Sequence, residues 1–297
     1  MSTNVNRRNL IKQVLTGSAA IATGAVVPST ILAAVKNNTL TEPLKGNIQH
    51  SACRWCYDSI PTATLAKNFK QLGMVGMDLV GPSEWKILKE NNLISTMCNG
   101  AEISLTEGFN TLQYHDKLVK NYIEHIHYVA DAGYTNLICF SGNRKGMDDE
   151  TGLKNCVTGL KKIMAVAEKR GVMIQMELLN SRVDHKDYMC DRSSWGVELC
   201  KRLGSANFKL LFDIYHMQID EGDIIHSIQT NHQYYGHYHT GGVPGRNEID
   251  ERQELYYPAI MRAILQTGFK GYVAQEFIPA DKDPMASLAA AIKICDV

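Results

Sequence analysis

The chain has 297 residues, 44% hydrophobic and 21% charged, enough for one large core or equally for two smaller domains, and too apolar for a disordered polypeptide. Its formal charge of +0 gives no electrostatic ground for nucleic acid or an anionic membrane surface as partner. A small neutral or singly charged molecule is the expected ligand.

Residues 1–33 differ in kind from the rest. Asn6-Arg7-Arg8-Asn9-Leu10-Ile11-Lys12 precedes an uncharged stretch rich in Ala, Val, Ile, Thr and Gly, which reads as a twin-arginine export signal and implies a periplasmic destination. Its small-residue end, Ile31-Leu32-Ala33-Ala34, carries Ile where a small residue is usual, so a retained leader that anchors the protein to the membrane is the rival reading. Pro28 and the missing polar face argue against an amphipathic first helix. Residues 34–45 read as a polar linker containing Pro43, and one domain is expected over 46–297.

From residue 46 onward short apolar runs alternate with longer helical patterns, the order of a parallel sheet wrapped by helices. A strand at 48–53 is followed by a helix at 62–72, a strand at 77–80 by a helix at 84–91, and a strand at 93–98 by a long helix at 111–132. The pattern continues with strands at 136–140 and 172–178, followed by helices at 152–170 and 194–203. Strands at 208–214, 236–239 and 271–277 precede helices at 223–230, 257–267 and 284–294. Gly73, Gly133, Gly171, Gly204 and Gly268 each stand between a helical stretch and the next strand, where a left-handed stop residue belongs. Eight such units in this length predict a (β/α)8 TIM barrel. A doubly wound open sheet lacks support, because no glycine-rich phosphate loop follows the first strand.

Four polar residues close four consecutive apolar runs: Glu177, Asp213, His239 and Glu276. In a barrel each stands at the carboxyl-terminal mouth, where such folds keep their chemistry. Three converging carboxylates repel one another in a buried setting, and a divalent cation resolves the conflict. Oxygen donors with one imidazole favour Mn²⁺ or Mg²⁺, with Co²⁺ or Zn²⁺ as alternatives. Disulfides are not expected among the eight cysteines: Cys53, Cys98 and Cys139 lie in or beside apolar runs and read as small core residues, and Cys53 and Cys56 lack a second pair that would make a metal or redox motif. His237, two residues before His239 on the same strand face, reads as a buried core histidine. Arg54, Trp55 and Tyr57 after the first strand are candidates for a pocket wall.

Three segments, Phe212-Asp-Ile-Tyr-His-Met-Gln-Ile-Asp-Glu-Gly222, Gly236-His-Tyr-His-Thr-Gly-Gly-Val-Pro-Gly-Arg246 and Gln275-Glu-Phe-Ile-Pro279, resemble hydroxypyruvate isomerase and its relatives among the xylose-isomerase-like barrels. The resemblance implies that Glu177, Asp213, His239 and Glu276 are metal ligands, that Glu177 and Glu276 are also the acid/base pair, and that His216 and Arg246 contact substrate. One departure bears on substrate: hydroxypyruvate isomerases commonly carry Gln at the position of His239, and the related ketose 3-epimerases carry His.

These residues suit proton transfer beside a carbonyl. His216, placed in a loop after Asp213, is expected to donate to a developing oxyanion, and Arg246 to offer its fork to a substrate carboxylate. Asn180 and His185, in the loop after Glu177, are further candidates for substrate contact or a lid. The expected function is metal-dependent interconversion of hydroxypyruvate and tartronate semialdehyde through an enediolate. A ketose 3-epimerase or other sugar isomerase is the enzymatic alternative, a periplasmic carbohydrate-binding protein the non-enzymatic one, and a homo-oligomer is open.

Overall fold

The computed structural model describes residues 43–297. The export signal expected over residues 1–33 and the linker as far as residue 42 lie outside the described residues. The end of the linker is docked: Leu44 packs against the core, and the Lys45 backbone N–H donates to Asp296 Oδ2 at 2.9 Å.

Eight parallel strands form the sheet: β1 (Gln49–Ala52), β2 (Gly76–Val80), β3 (Ile94–Cys98), β4 (Asn136–Cys139), β5 (Met173–Glu177), β6 (Phe208–Asp213), β7 (Tyr235–Thr240) and β8 (Tyr272–Gln275). They are hydrogen-bonded in the order β1-β8-β7-β6-β5-β4-β3-β2. The remaining seam, β1 to β2, is drawn together by one parallel bridge, Cys53 to Asp78, and by the Val75 N–H donating to His50 O at 3.0 Å. The nearly closed barrel is the expected one. Strand residues are buried almost without alternation, because one face fills the barrel and the other meets helices.

The helices are α1 (Thr62–Gln71), α2 (Trp85–Glu90), α3 (His115–Asp131), α4 (Asp149–Arg170), α5 (Ser193–Leu203), α6 (Ile214–Asp220), α7 (Ile224–Asn231), α8 (Tyr257–Gln266) and α9 (Pro284–Cys295). Eight of them match the expected helices to within a few residues. α6 is the addition, a two-turn helix where a loop was expected, started by Asp213, whose Oδ1 accepts from the His216 N–H at 3.2 Å. The five predicted stop glycines all take positive φ, between 65° and 82°. All eight cysteines are free, and seven are buried. Among the described residues no helix is long and apolar enough to cross a membrane.

Candidate metal centre

The strand register brings the four predicted ligands to one level. Asp213 on β6 pairs with His239 on β7, and the Glu276 N–H donates to Thr240 O at 3.0 Å just past β8. Glu177, Asp213, His239 and Glu276 are all buried, and each offers a ligand atom within 4.8 Å of every other. Of the four, Glu177 and Glu276 line a cavity of about 640 Å³ at the barrel mouth. Trp55, His185, His216 and Arg246 also line it, while Leu79 and Phe140 are among the apolar residues facing it.

Each carboxylate has a different environment. Glu276 accepts from Trp55 Nε1 at 2.7 Å and from Arg246 Nη2, and its Oε2 is 2.6 Å from His239 Nδ1. Burial works against its charge, but Arg246 and His239 outweigh burial and hold the carboxyl well below its usual range. Glu177 lacks such partners: its Oε1 is buried without a hydrogen bond, 3.3 Å from His239 Nδ1, and burial raises its carboxyl. Burial also pushes Asp213 up to about 7, against the pull of Arg246.

Arg246 reaches the cavity from the loop after β7. Its fork is turned to the protein's own acids rather than left free for a substrate carboxylate: Nη2 donates to Asp213 Oδ2 at 2.8 Å and to Glu276 Oε2, and Nε donates to the Glu276 carbonyl at 3.0 Å. The guanidinium lies 4.9 Å from the centre of the Tyr215 ring and 5.7 Å from that of Trp55. His216 is on α6, fully buried, with its ring nitrogens facing Asn180 Nδ2 at 2.6 Å and Arg246 Nη1 at 2.5 Å. Burial, and then the Arg246 charge, hold its imidazole well below the usual histidine range.

Asn180 lies behind His216 and organises its own loop, its Oδ1 accepting from the N–H groups of Val183 and Asp184 at 3.0 and 2.9 Å. Of the candidates after the first strand, Trp55 reaches the site, Tyr57 is in the core, and Arg54 turns away to Thr62 and Glu84.

Asp78 on β2 escaped the sequence reading. It is fully buried, with Oδ1 2.9 Å from His239 Nε2, and Oδ2 2.9 Å from His237 Nε2 and 2.7 Å from Thr96 Oγ1. Burial opposes its charge, but the two histidines outweigh that and hold the carboxyl well below the usual range. The available signal was an acid at the centre of an otherwise apolar strand, Gly76-Met-Asp-Leu-Val80.

A family model described as the xylose isomerase-like TIM barrel matches residues 85–294. The chain belongs to this family. A 2-oxo-tetronate isomerase of Cupriavidus necator is 36% identical over 38% of this chain and 43% of its own length. A putative hydroxypyruvate isomerase of Danio rerio is 29% identical over 41% of this chain and 45% of its own. A D-psicose 3-epimerase of Ruminiclostridium cellulolyticum is 30% identical over 55% and 53%. The chain thus spans about half the length of the curated relatives it matches.

In this xylose isomerase-like barrel the residues present fit a divalent cation. Three carboxylates and one imidazole converge, and two of the inward atoms, Glu177 Oε1 and His239 Nδ1, are buried with no hydrogen-bond partner among the described residues. Burying such atoms unpaired is costly, and a cation satisfies both. Hard oxygen donors dominate the set, the chemistry of Mg²⁺ or Mn²⁺ sites more than of thiolate zinc sites.

Proposed function

We propose that the protein is a divalent-metal-dependent isomerase that moves a proton beside the carbonyl of a small α-hydroxy-carbonyl compound. The observation that carries this reading is the convergence of Glu177, Asp213, His239 and Glu276 in one buried cluster, of which Glu177 and Glu276 line a cavity large enough for such a molecule. These four residues would hold the cation, which would supply positive charge that eases loss of the hydrogen beside the carbonyl.

The chain's own groups do the rest. Glu177, the carboxylate with the fewest neutralising partners, accepts the proton, and Glu276, fixed by Trp55 and Arg246, stands across the cluster to complete the transfer. Return of the proton to the neighbouring carbon isomerises the substrate; delivery to the opposite face of the same carbon epimerises it. Two of the three relatives above are named as isomerases of hydroxypyruvate or 2-oxo-tetronate, which makes conversion between hydroxypyruvate and tartronate semialdehyde the first assay. Ketose 3-epimerisation is the second reading. It is favoured by His239 and by the engagement of Arg246 with Asp213 and Glu276, which leaves its fork unavailable to a substrate carboxylate.

The test is turnover of both substrate classes by Mn²⁺-loaded protein in D₂O, with NMR following deuterium at the carbon beside the carbonyl. Metal-dependent exchange with one class supports the proposal and chooses between the readings. No exchange with either class, or exchange untouched by EDTA, sinks it. Export is a separate part of the proposal, and cell fractionation checks it: the wild-type protein is expected in the periplasm and a variant with Arg7→Lys and Arg8→Lys in the cytoplasm.

A further inference from the structure

We infer that Asp78 is a positioning residue that fixes the ring of His239 so that Nδ1, and not Nε2, faces the metal cluster. The inference rests on the metal reading above and adds to it a residue from the opposite side of the barrel.

His239 has two ring nitrogens, and which one serves as a ligand is set by the partner of the other. Nε2 stands 2.9 Å from Asp78 Oδ1, and both residues are fully buried. A carboxylate only accepts, so Nε2 holds its proton toward Asp78, and Nδ1 is the nitrogen left to face the cluster, where a cation would displace any proton it shares with the glutamates. Nδ1 is the nitrogen that lies 2.6 Å from Glu276 Oε2 and 3.3 Å from Glu177 Oε1, inside the cluster.

Asp78 is itself held from several directions. Thr96 Oγ1 donates to its Oδ2 at 2.7 Å and is in turn hydrogen-bonded to Ser51. His237 Nε2 lies 2.9 Å from the same Oδ2, and Cys53 Sγ lies 3.7 Å from Oδ1. The buried polar group of β1, β2, β3 and β7 therefore sits under the metal cluster and aims one of its ligands. Nothing in it reaches the cavity, so its effect on chemistry passes through His239.

The test uses the full chain with ¹⁵N-labelled histidine. In wild type the His239 Nε2–H is expected to give a downfield, slowly exchanging proton resonance, both without metal and with Mg²⁺. Asp78→Ala is expected to lose that resonance and to weaken Mn²⁺ binding by about 10–100-fold, measured by chelator competition. Asp78→Asn offers a weaker, neutral acceptor, and is expected to shift the resonance upfield and weaken binding by about tenfold, toward the lower end of the same range. Circular dichroism reports whether each variant folds; if the Ala variant does not, the Asn variant decides. A folded variant with an unmoved resonance and Mn²⁺ affinity within about twofold of wild type overturns the inference. Absence of Mn²⁺ binding in wild type would instead defeat the proposed function, while the resonance measured without metal would still decide whether Asp78 orients His239.

Discussion

Glu177 and Glu276 are the same residue type at matching strand ends, yet their surroundings separate them. Glu276 is locked by an indole N–H and a guanidinium, whereas Glu177 Oε1 has no hydrogen bond. If both glutamates handle protons, Glu177→Gln and Glu276→Gln should each lower kcat by about 10²–10⁴-fold. Substrate deuterium exchange should fall with kcat in Glu177→Gln and persist longer in Glu276→Gln. Arg246 belongs to the same balance, since it neutralises Asp213 and Glu276 in a buried place. Arg246→Met leaves those charges uncompensated and should cost about 3 kcal/mol in metal-free protein. Saturating Mn²⁺ should recover part of that loss in urea unfolding, because a cation replaces the missing charge. The four candidate ligands were legible in the sequence because strand ends announce themselves by a polar residue after an apolar run. The direction of the Arg246 fork was not legible: it depends on Asp213 and Glu276, which come from other strands and meet Arg246 only after folding.

At the level of elements, the strands and most helices were readable because each repeats one signal: an apolar run, a helical period and a glycine stop. α6 broke that signal. It is only seven residues long, and Asp213, which starts it, had already been read as the end of a strand. One residue serves as strand terminus, helix cap and candidate ligand, and a linear reading assigns it one role. β2 shows a different constraint, from backbone packing. A Cβ added at Gly76 would lie 2.4 Å from Ile94 O on β3, a contact that requires the two strands to move apart. Gly76→Ala should therefore destabilise the protein by about 1–3 kcal/mol. Because Asp78 follows two residues later, it should also weaken Mn²⁺ binding, and parallel denaturation and chelator measurements check both effects.

For the whole molecule, the first strand pairs with the last, β1 with β8, a contact that no local pattern reveals. The chain end supports the first strand: Lys45 N–H donates to Asp296, and Asn47 Nδ2 donates to the Val297 carbonyl at 2.8 Å. His50 on β1 is buried beside this junction, with Nε2 3.8 Å from Asp296 Oδ1. Burial lowers its imidazole from 6.5 to about 4, and Asp296 offsets only part of that effect. The sign follows from proton uptake. Above pH 6.5 the histidine is neutral in both folded and unfolded chains, and stability is unaffected. Between 6.5 and about 4 the unfolded chain takes up a proton that the folded chain refuses, so stability falls as pH falls through this window. At about 1.4 kcal/mol per pKa unit the full loss is about 3 kcal/mol, of which about 2 kcal/mol has occurred by roughly pH 5. Other groups also titrate in this range, so the informative quantity is a difference between proteins. Urea unfolding at about pH 7 and pH 5 should show wild type losing about 2 kcal/mol more than His50→Gln. Equal losses in the two proteins would mean that His50 is not held neutral beside Asp296.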